Sequence, residues 1–187
     1  MRCFIAITLP EDIHNRLSQI QKELKLFKGD INWTRPEGIH LTLKFLGEVD
    51  EKIFPTVKDV MEQACLTEKK FKLTTGNPGV FPNPRRPRVL WVGLKEGVET
   101  AGRLAKFLEE KLAPLGYPPE DREFNPHLTL GRVRSPQNLE PLMDYFIQKI
   151  KIDSMVIPAE YLTLYQSVLK PSGAEYQVVH KSPLLSL

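Results

Sequence analysis

Apolar residues recur along this chain at two spacings, one typical of helices and one typical of strands. An apolar stripe predicts the first helix, at Ile13, Leu17, Ile20, Leu24 and Phe27. Pro10 followed by two acids opens this helix, and Gly29 closes it. The same spacing predicts three further helices, at about Glu51–Leu66, Val98–Leu115 and Asn138–Lys149.

Short apolar runs and alternating patterns predict the strands. They lie at Phe4–Leu9, at His40–Gly47, at Phe71–Thr75, at Val89–Leu94, after Pro126, at Glu160–Leu169 and at Glu175–Lys181. The connector Gly76–Arg88 is rich in Pro, Gly and Arg, so we expect a surface loop there. Pro171, Ser172 and Gly173 form a turn sequence between the last two strands.

One tetrapeptide, His-Leu-Thr-Leu, occurs twice in the predicted strands, at His40–Leu43 and at His127–Leu130. The chain has only 4 histidines, so half of them begin the same four-residue motif. Because successive strand residues point to opposite faces, each motif places its His and Thr on one surface and its leucines behind them. Two such strands can present a pair of imidazoles, each with a hydroxyl beside it.

The order strand, helix, His strand, helix appears twice, which indicates a weak internal duplication of architecture. We therefore expect an α+β fold of two similar lobes, each an antiparallel sheet backed by helices. A His strand from each lobe would line an active cleft between them. The whole chain, residues 1–187, is interpreted as a single bilobal domain.

Composition narrows the class of protein only slightly. The net charge of +3 suits a polyanionic ligand without requiring one. Cys3 and Cys65 are too few for a disulfide framework, which favours a reducing cytosol, and both are interpreted as small buried hydrophobes. The apolar run near the amino terminus is too short for a signal peptide, and no apolar segment approaches the length needed to span a membrane. We expect a soluble cytoplasmic protein.

The repeated motif has three alternative interpretations. A metal site lacks ligands, because neither motif brings a third His, a Cys or a carboxylate to the His/Thr face. A Ser or Cys nucleophile paired with one His would leave the second His–Thr pair unexplained. Two half-buried structural strands that happen to begin with His remain the plainest alternative.

Two histidines on opposite sides of a phosphate account for the pattern better. In-line displacement at phosphorus needs a base on the attacking oxygen and an acid on the leaving oxygen, and imidazole serves as either near neutral pH. The Thr hydroxyls can donate to the non-bridging oxygens, where negative charge builds. This mechanism needs neither a metal nor another cofactor.

The two motifs, in the contexts His40–Gly47 and Pro126–Leu130, resemble the paired H-x-T-x motifs of the 2H phosphoesterase superfamily. The similarity is greatest to the RNA 2′,3′-cyclic phosphodiesterases, also called 2′-5′ RNA ligases, and it covers nearly the whole chain. The supporting segments are Arg2–Ile7, Trp33 with Pro36 and Glu37, Gly79–Pro82, Arg86–Gly93 and Leu164–Ser167.

The resemblance implies hydrolysis of an RNA terminal 2′,3′-cyclic phosphate to a 2′-phosphate, with a reverse reaction that joins RNA ends through a 2′-5′ bond. It assigns catalysis to His40 as proton donor, His127 as proton acceptor, Thr42 and Thr129; local sequence does not distinguish the two histidine roles. RNA ends, tRNA fragments and small cyclic nucleotides all fit as substrates, and a monomer is expected. A non-catalytic RNA-end-binding module is the alternative from another functional class.

Further residues are candidates for substrate binding. Lys44 shares the His40 face by strand parity and could meet the RNA backbone, with a solvated strand-end lysine as the alternative. Tyr165 and Ser167 share one face of a later strand and are cleft candidates, with plain packing as the alternative. Phe81 can stack a base if it is exposed in its loop, whereas anchoring in the core is the favoured alternative. Arg85, Arg86 and Arg88 can hold phosphates, although arginines in such a loop are often plain surface.

By parity Arg132 leaves the His127 face unless a bulge intervenes, so it is not included. His14 and His180 have no partner pattern and are interpreted as surface or structural residues.

Overall fold

The computed structural model describes residues 1–170 and 173–186, and it contains nine strands and four α-helices within those ranges. The strands are β1 Arg2–Thr8, β2 Ile31–Trp33, β3 His40–Glu48, β4 Phe71–Phe81, β5 Val89–Leu94, β6 His127–Val133, β7 Val156–Ala159, β8 Tyr161–Lys170 and β9 Gly173–Pro183. The helices are α1 Glu11–Lys25, α2 Phe54–Cys65, α3 Val98–Leu112 and α4 Leu139–Asp144, which continues as a π-helical turn at Tyr145–Lys149.

The strands form two antiparallel sheets. The first sheet has the order β3-β1-β8-β9, and the second has the order β2-β6-β5-β4-β7. Helices α2 and α3 pack on the first sheet, where α3 contacts β3 and α2 contacts β9. Helices α1 and α4 are neighbours near the second sheet, since the Phe27 and Tyr145 rings that follow them lie 5.1 Å apart. The predicted fold class, two lobes each with a sheet and helices, is confirmed.

The chain does not build one lobe before the other. It passes from β1 in the first sheet to β2 in the second, returns to β3, and crosses again to β4. The apolar residues of both sheets belong to one hydrophobic core, which includes Ile5 and Leu41 of the first sheet and Leu90 and Leu128 of the second. Each lobe therefore depends on distant parts of the sequence.

Several element boundaries differ from the prediction. Strand β4 continues to Phe81, so the first part of the expected loop Gly76–Arg88 is strand. Pro78 is accommodated there because it lies at a register irregularity, beyond the Phe71–Thr74 segment that pairs with β7. The short strands β2 and β7 were not predicted. Of the expected turn at Pro171, Ser172 and Gly173, the first two residues lie outside the described residues.

Among the residues described, no helix combines the length and the apolar character needed to cross a bilayer.

Candidate active site

The two motif strands line one cleft between the sheets. A cavity of about 390 Å³ opens there, and His40, Thr42, His127 and Thr129 all line it. The four leucines of the motifs are buried behind them, at 4% exposure or less. The structure thus brings together the four residues that the sequence predicted as a catalytic group.

Both imidazoles are held in the same way. His40 Nδ1 lies 2.7 Å from the carbonyl oxygen of Gly38, and His127 Nδ1 lies 2.6 Å from that of Asn125, each two residues upstream. Because a carbonyl oxygen only accepts, Nδ1 carries the hydrogen in both rings, and Nε2 is left to act on a ligand. A neutral ring then offers Nε2 as a base, and a protonated ring offers it as an acid.

Local sequence explains both anchors. Pro36 opens a 3₁₀ turn that ends at Gly38, and a single residue, Ile39, separates this turn from β3. A Cβ on Gly38 would lie 3.1 Å from the Tyr176 ring, so glycine allows close packing at this point. Before β6, Pro126 favours an extended Asn125, which directs its carbonyl along the chain toward the ring of His127.

Burial lowers the pKa of both histidines. The pKa of His40 falls to about 4, chiefly because burial disfavours the charged ring, while the Gly38 hydrogen bond opposes the shift. Burial also lowers the pKa of His127, with a smaller contribution in the same direction from Arg132. Both rings are therefore neutral at pH 7 in the unliganded cleft, and an anion bound between them would favour protonation.

Aromatic side chains surround the His40 ring. Phe4 stacks on it with ring centroids 4.4 Å apart, and Tyr176 meets it edge-on at 5.3 Å. Tyr165 stacks on Phe4 at 5.3 Å and hydrogen-bonds through its hydroxyl to Thr8 Oγ1 at 2.7 Å. Tyr165, a predicted substrate contact, therefore supports the rings beside His40, whereas Ser167 lines the cavity itself.

His127 has a different aromatic environment. The Phe81 ring meets it edge-on at 4.9 Å, and Trp91 lies 6.0 Å from it and 4.9 Å from Phe81. Phe81 is thus at the end of β4 and partly exposed, rather than in a free loop. It touches the second histidine, so a role beside the substrate stays a prediction.

Each motif strand carries a bulge at its second leucine. In β3, Thr42 pairs with Ala6 and Lys44 with Ile5, so Leu43 is an extra residue. In β6, Thr129 pairs with Trp91 and Gly131 with Leu90, so Leu130 is the extra residue. A bulge reverses the alternation of side chains beyond it.

The bulges correct the parity prediction beyond each motif. Lys44 and Gly131 turn to the buried side. The residues that follow them, Phe45 and Arg132 respectively, turn into the cleft. Phe45 is 54% exposed, and both Phe45 and Arg132 line the cavity. Arg132 therefore joins the residues that line the cavity, through the bulge that the parity argument had allowed for, and Phe45 lies in the cleft although strict alternation would place it on the leucine face.

Lys44 does not meet the cleft. Its side chain is 1% exposed, and Nζ donates to Glu109 Oε2 at 2.5 Å and to the Pro118 carbonyl at 2.6 Å. The predicted contact of Lys44 with RNA is wrong, because the bulge at Leu43 turns the ammonium toward α3. Lys44 instead ties β3 to the segment that precedes the second motif.

The three predicted arginines are not among the described residues that line the cavity. Arg85, Arg86 and Arg88 lie on the turn between β4 and β5, outside the described residues that line the cavity. Asn83 Oδ1 accepts from the backbone amides of Arg85 and Arg86, both at 3.1 Å, and so shapes that turn.

Other cavity residues were not predicted at all. Tyr176 and Ala174 line the cavity from one face of β9, and Arg2 and Thr34 line it as well. The alternation of β9 could have indicated Tyr176, whereas no local pattern marks the bulges that expose Phe45 and Arg132. In the described ranges, no three His, Cys, Asp or Glu side chains form a group suited to a metal ion.

His14 has a structural contact: its Nε2 lies 3.0 Å from the Ile39 carbonyl, directly before His40. His180 lies 3.7 Å from a Glu62 carboxylate, between α2 and β9. Both are outside the set of described residues that line the cavity, as expected for structural residues.

The chain is similar over nearly its full length to curated proteins and to solved structures. Two archaeal relatives, each named RNA 2′,3′-cyclic phosphodiesterase, are 34% identical over 94% of this chain and 95% of the relative (Methanothermobacter thermautotrophicus) and 36% identical over 96% and 98% (Methanocaldococcus jannaschii). The crystal structure of TT0787 from Thermus thermophilus superposes with a TM-score of 0.83 at 30% identity, covering 100% of this chain and 99% of that one. E. coli LigT complexed with 3′-AMP has the same fold, with a TM-score of 0.76 at 23% identity over 98% and 97% of the two chains.

The family model described as "LigT like Phosphoesterase" matches the chain twice, at residues 7–91 and at residues 92–176. Each match contains one His-Leu-Thr-Leu motif, which agrees with the internal duplication expected from the order of elements. The chain therefore belongs to the LigT-like phosphoesterases of the 2H phosphoesterase superfamily, and it is a hydrolase of phosphate esters.

Proposed function

We propose that this protein hydrolyses terminal 2′,3′-cyclic phosphates of RNA to 2′-phosphates, by acid–base catalysis without a metal. The observation that carries the proposal is the pair of imidazoles in one cleft. Each has Nδ1 tied to a backbone carbonyl, and each has a threonine on the same strand face. The names of the archaeal relatives support RNA as the substrate class.

The two histidines divide the proton transfers. His127 Nε2 takes a proton from the attacking water as the new P–O bond forms, and protonated His40 gives its Nε2 proton to the 3′-oxygen as the P–O3′ bond breaks. The bound phosphate anion raises the pKa of the buried His40 ring and so supplies the acid form. With the 5′-hydroxyl of another RNA in place of water as the nucleophile, the same steps form a P–O5′ bond, break the P–O3′ bond and give 2′-5′ ligation.

The remaining cavity residues serve the phosphate and the nucleoside. The hydroxyls of Thr42 and Thr129 donate to the non-bridging oxygens, where charge builds in the transition state. Arg132, turned into the cleft by its bulge, adds a cation for the same oxygens. Phe45 offers an exposed ring on which the terminal base can stack, and Ser167 is a polar contact of the cavity wall.

We assign the RNA chain beyond its last nucleotide to the turn arginines Arg85, Arg86 and Arg88, with Phe81 between them and His127. The protein would act as one bilobal domain of residues 1–187, as a cytoplasmic monomer. Support for a single domain comes from the shared core and from the chain crossing repeatedly between the sheets. tRNA fragments, other RNA ends and small cyclic nucleotides are all candidate substrates.

The deciding experiment uses an RNA oligonucleotide with a 2′,3′-cyclic phosphate, incubated with the protein in excess EDTA. Phosphorus NMR of the product should identify a 2′-phosphomonoester, and labelled water should place one new oxygen on phosphorus. A 3′-phosphate product, or activity that EDTA abolishes and a divalent ion restores, would overturn the mechanism. Tight binding with no conversion would favour the RNA-end-binding module instead.

A further inference from the structure

A buried glutamine of α1 is bonded to the second motif strand. Gln21 is 1% exposed, although most residues of its type lie at the surface. Its Nε2 donates to the carbonyl of Thr34 at 2.7 Å and to the carbonyl of Leu130 at 2.8 Å. Its Oε1 has no hydrogen-bond partner among the described residues, so the two donated bonds are what this side chain contributes.

Leu130 is the bulged residue of β6. Its carbonyl also accepts from the backbone amide of Thr34 at 3.0 Å, so Gln21 and Thr34 together supply two donors to this one oxygen. The bulge leaves that oxygen outside the regular register with β5, where Gly131 pairs with Leu90 and Thr129 with Trp91. Two of the hydrogen bonds at the bulge therefore come from outside the β5–β6 pair.

The bulge decides which residue of β6 enters the cleft. With it, Arg132 lines the cavity beside His127 and Thr129, and Gly131 faces the core. A regular strand would place Gly131 in the cleft and Arg132 behind it. A Cβ on Gly131 would lie 2.7 Å from an Ile31 side-chain atom, so the buried side at this position has room only for glycine.

We propose that Gln21 is a positioning residue, whose carboxamide fixes the Leu130 bulge and thereby places the Arg132 guanidinium at the substrate phosphate. This inference rests on the proposed function, in which Arg132 contacts that phosphate. A carboxamide suits the task because its neutral NH₂ group donates two hydrogen bonds at once. The carboxylate of a glutamate at this position would place its oxygens close to two carbonyl oxygens, which repel it. The thioether of a methionine has no donor, so each of the two carbonyls would lose one hydrogen bond.

The test is a double-mutant cycle between Gln21→Met and Arg132→Gln. Gln21→Met keeps the volume and removes the donors, so we expect kcat/KM for a cyclic-phosphate oligonucleotide to fall about tenfold, since small misplacements of a positioned group cost this much or more. In the Arg132→Gln background the same change should cost less than about twofold, because the guanidinium that Gln21 positions is gone. Inorganic phosphate is also titrated into each variant, and its affinity is measured from the NMR signals of the two histidine rings. Gln21→Met should weaken phosphate binding in the wild-type background and have less effect in the Arg132→Gln background.

Two control variants separate positioning from stability. Gln19→Met makes the same substitution on a residue of α1 outside the buried face and should leave kcat/KM unchanged. Ile20→Val lowers the stability of the same buried helix face without touching the Leu130 carbonyl, and it should also leave kcat/KM unchanged in folded protein. If Gln21→Met does not fold, Gln21→Asn keeps the amide on a shorter stem and should show the same coupling to Arg132.

Wild-type kcat/KM in folded Gln21→Met protein would overturn the proposal. So would losses that multiply in the double mutant, because they would mean that Gln21 and Arg132 act independently. If the wild-type protein does not hydrolyse the oligonucleotide, the proposed function fails instead, and the phosphate titration alone then tests whether Gln21 and Arg132 are coupled.

Discussion

At the scale of single residues, the cleft contains two imidazoles in the same tautomer with different neighbours. His40 stacks on Phe4 at 4.4 Å, whereas His127 receives the edge of Phe81 at 4.9 Å. Because both Nδ1 atoms are anchored in the same way, the anchors do not distinguish the acid from the base. The surroundings of each ring and the position of the substrate must decide these roles. The roles given to His40 and His127 therefore stay predictions.

Replacing either histidine should lower the rate and leave the fold intact. His40→Ala and His127→Ala should each remove about 10²- to 10⁴-fold of kcat, the usual contribution of a positioned acid or base. Because both rings act in one displacement, the double variant should be far less than multiplicatively worse than either single. Turnover and melting temperature are measured on the same samples. Well-folded single variants with wild-type rates would leave the motifs a structural role only.

The pH dependence should reveal the lowered pKa values. The pKa of His40 is lowered to about 4 and that of His127 is lowered as well, so the protonated form of each ring is lost at a lower pH than usual. We expect a bell-shaped kcat/KM profile with both limbs below about 6.5, the ordinary histidine value. The kcat profile should lie at higher pH, because the bound phosphate anion favours the protonated ring.

Initial rates from about pH 4 to 9 give both profiles. A kcat/KM that rises steadily into the alkaline range would contradict the two-histidine mechanism and favour a lysine or metal-bound hydroxide base.

At the scale of elements, both motif strands bend at the same place, the second leucine of each tetrapeptide. The bulge at Leu43 brings an aromatic ring, Phe45, into the cleft, and the bulge at Leu130 brings a cation, Arg132. In both copies the sixth residue, counted from the motif histidine, lies in the cleft. That residue is Phe45 in the first copy and Arg132 in the second. Such a pair suits a ligand with a flat base on one side and a phosphate on the other.

Lys44 should matter for stability and not for substrate binding. Lys44→Met removes both hydrogen bonds of its buried ammonium, leaving the Pro118 carbonyl and the partly exposed Glu109 without this donor. We expect a loss of about 1–3 kcal/mol in the free energy of unfolding, the usual cost of unsatisfied buried groups. Denaturant melts measure that loss, and KM measured below the melting transition should be unchanged.

Adding Glu109→Gln to Lys44→Met supplies the control, since it removes the carboxylate that has lost its partner and should recover part of the stability. A raised KM with unchanged stability would restore the original prediction that Lys44 contacts RNA.

At the scale of the whole molecule, the two halves of the sequence do not correspond to the two lobes. Each half matches the family model, at residues 7–91 and 92–176. Yet the first half supplies β1 and β3 to the first sheet and β2 and β4 to the second. The second half supplies β8 and β9 to the first sheet and β6 and β7 to the second, and β5 spans the boundary between the halves. Neither half of the chain therefore contains all the strands of either sheet.

We expect fragments 1–91 and 92–187 to be unfolded when each is expressed alone, because each leaves apolar strand faces and edges uncovered. Circular dichroism and thermal melts measure this, and mixing or co-expression of the fragments should restore a cooperative transition. A cooperative melt by either fragment alone would show that a half is an independent domain.

The sequence by itself determined most of the secondary structure and the four central residues of the site. Helical spacing and strand alternation are local consequences of backbone geometry, so the apolar stripe of α1 and the His-Leu-Thr-Leu strands could be predicted directly. The resemblance to a known family supplied the acid and base roles, which the residues alone did not. Burial of the motif leucines and exposure of the His and Thr side chains to the cleft followed the predicted alternation.

Tertiary structure alone decided what lies beyond the two bulges and how the chain is divided between the lobes. A bulge depends on pairing with a strand distant in sequence, such as β1 with β3 or β5 with β6, and a one-residue slip reverses every later side chain. Lys44 therefore lies in the core, and Phe45 and Arg132 lie in the cleft. Gln21 reaches Leu130 only because α1 packs near the second sheet, a long-range arrangement that no local pattern encodes.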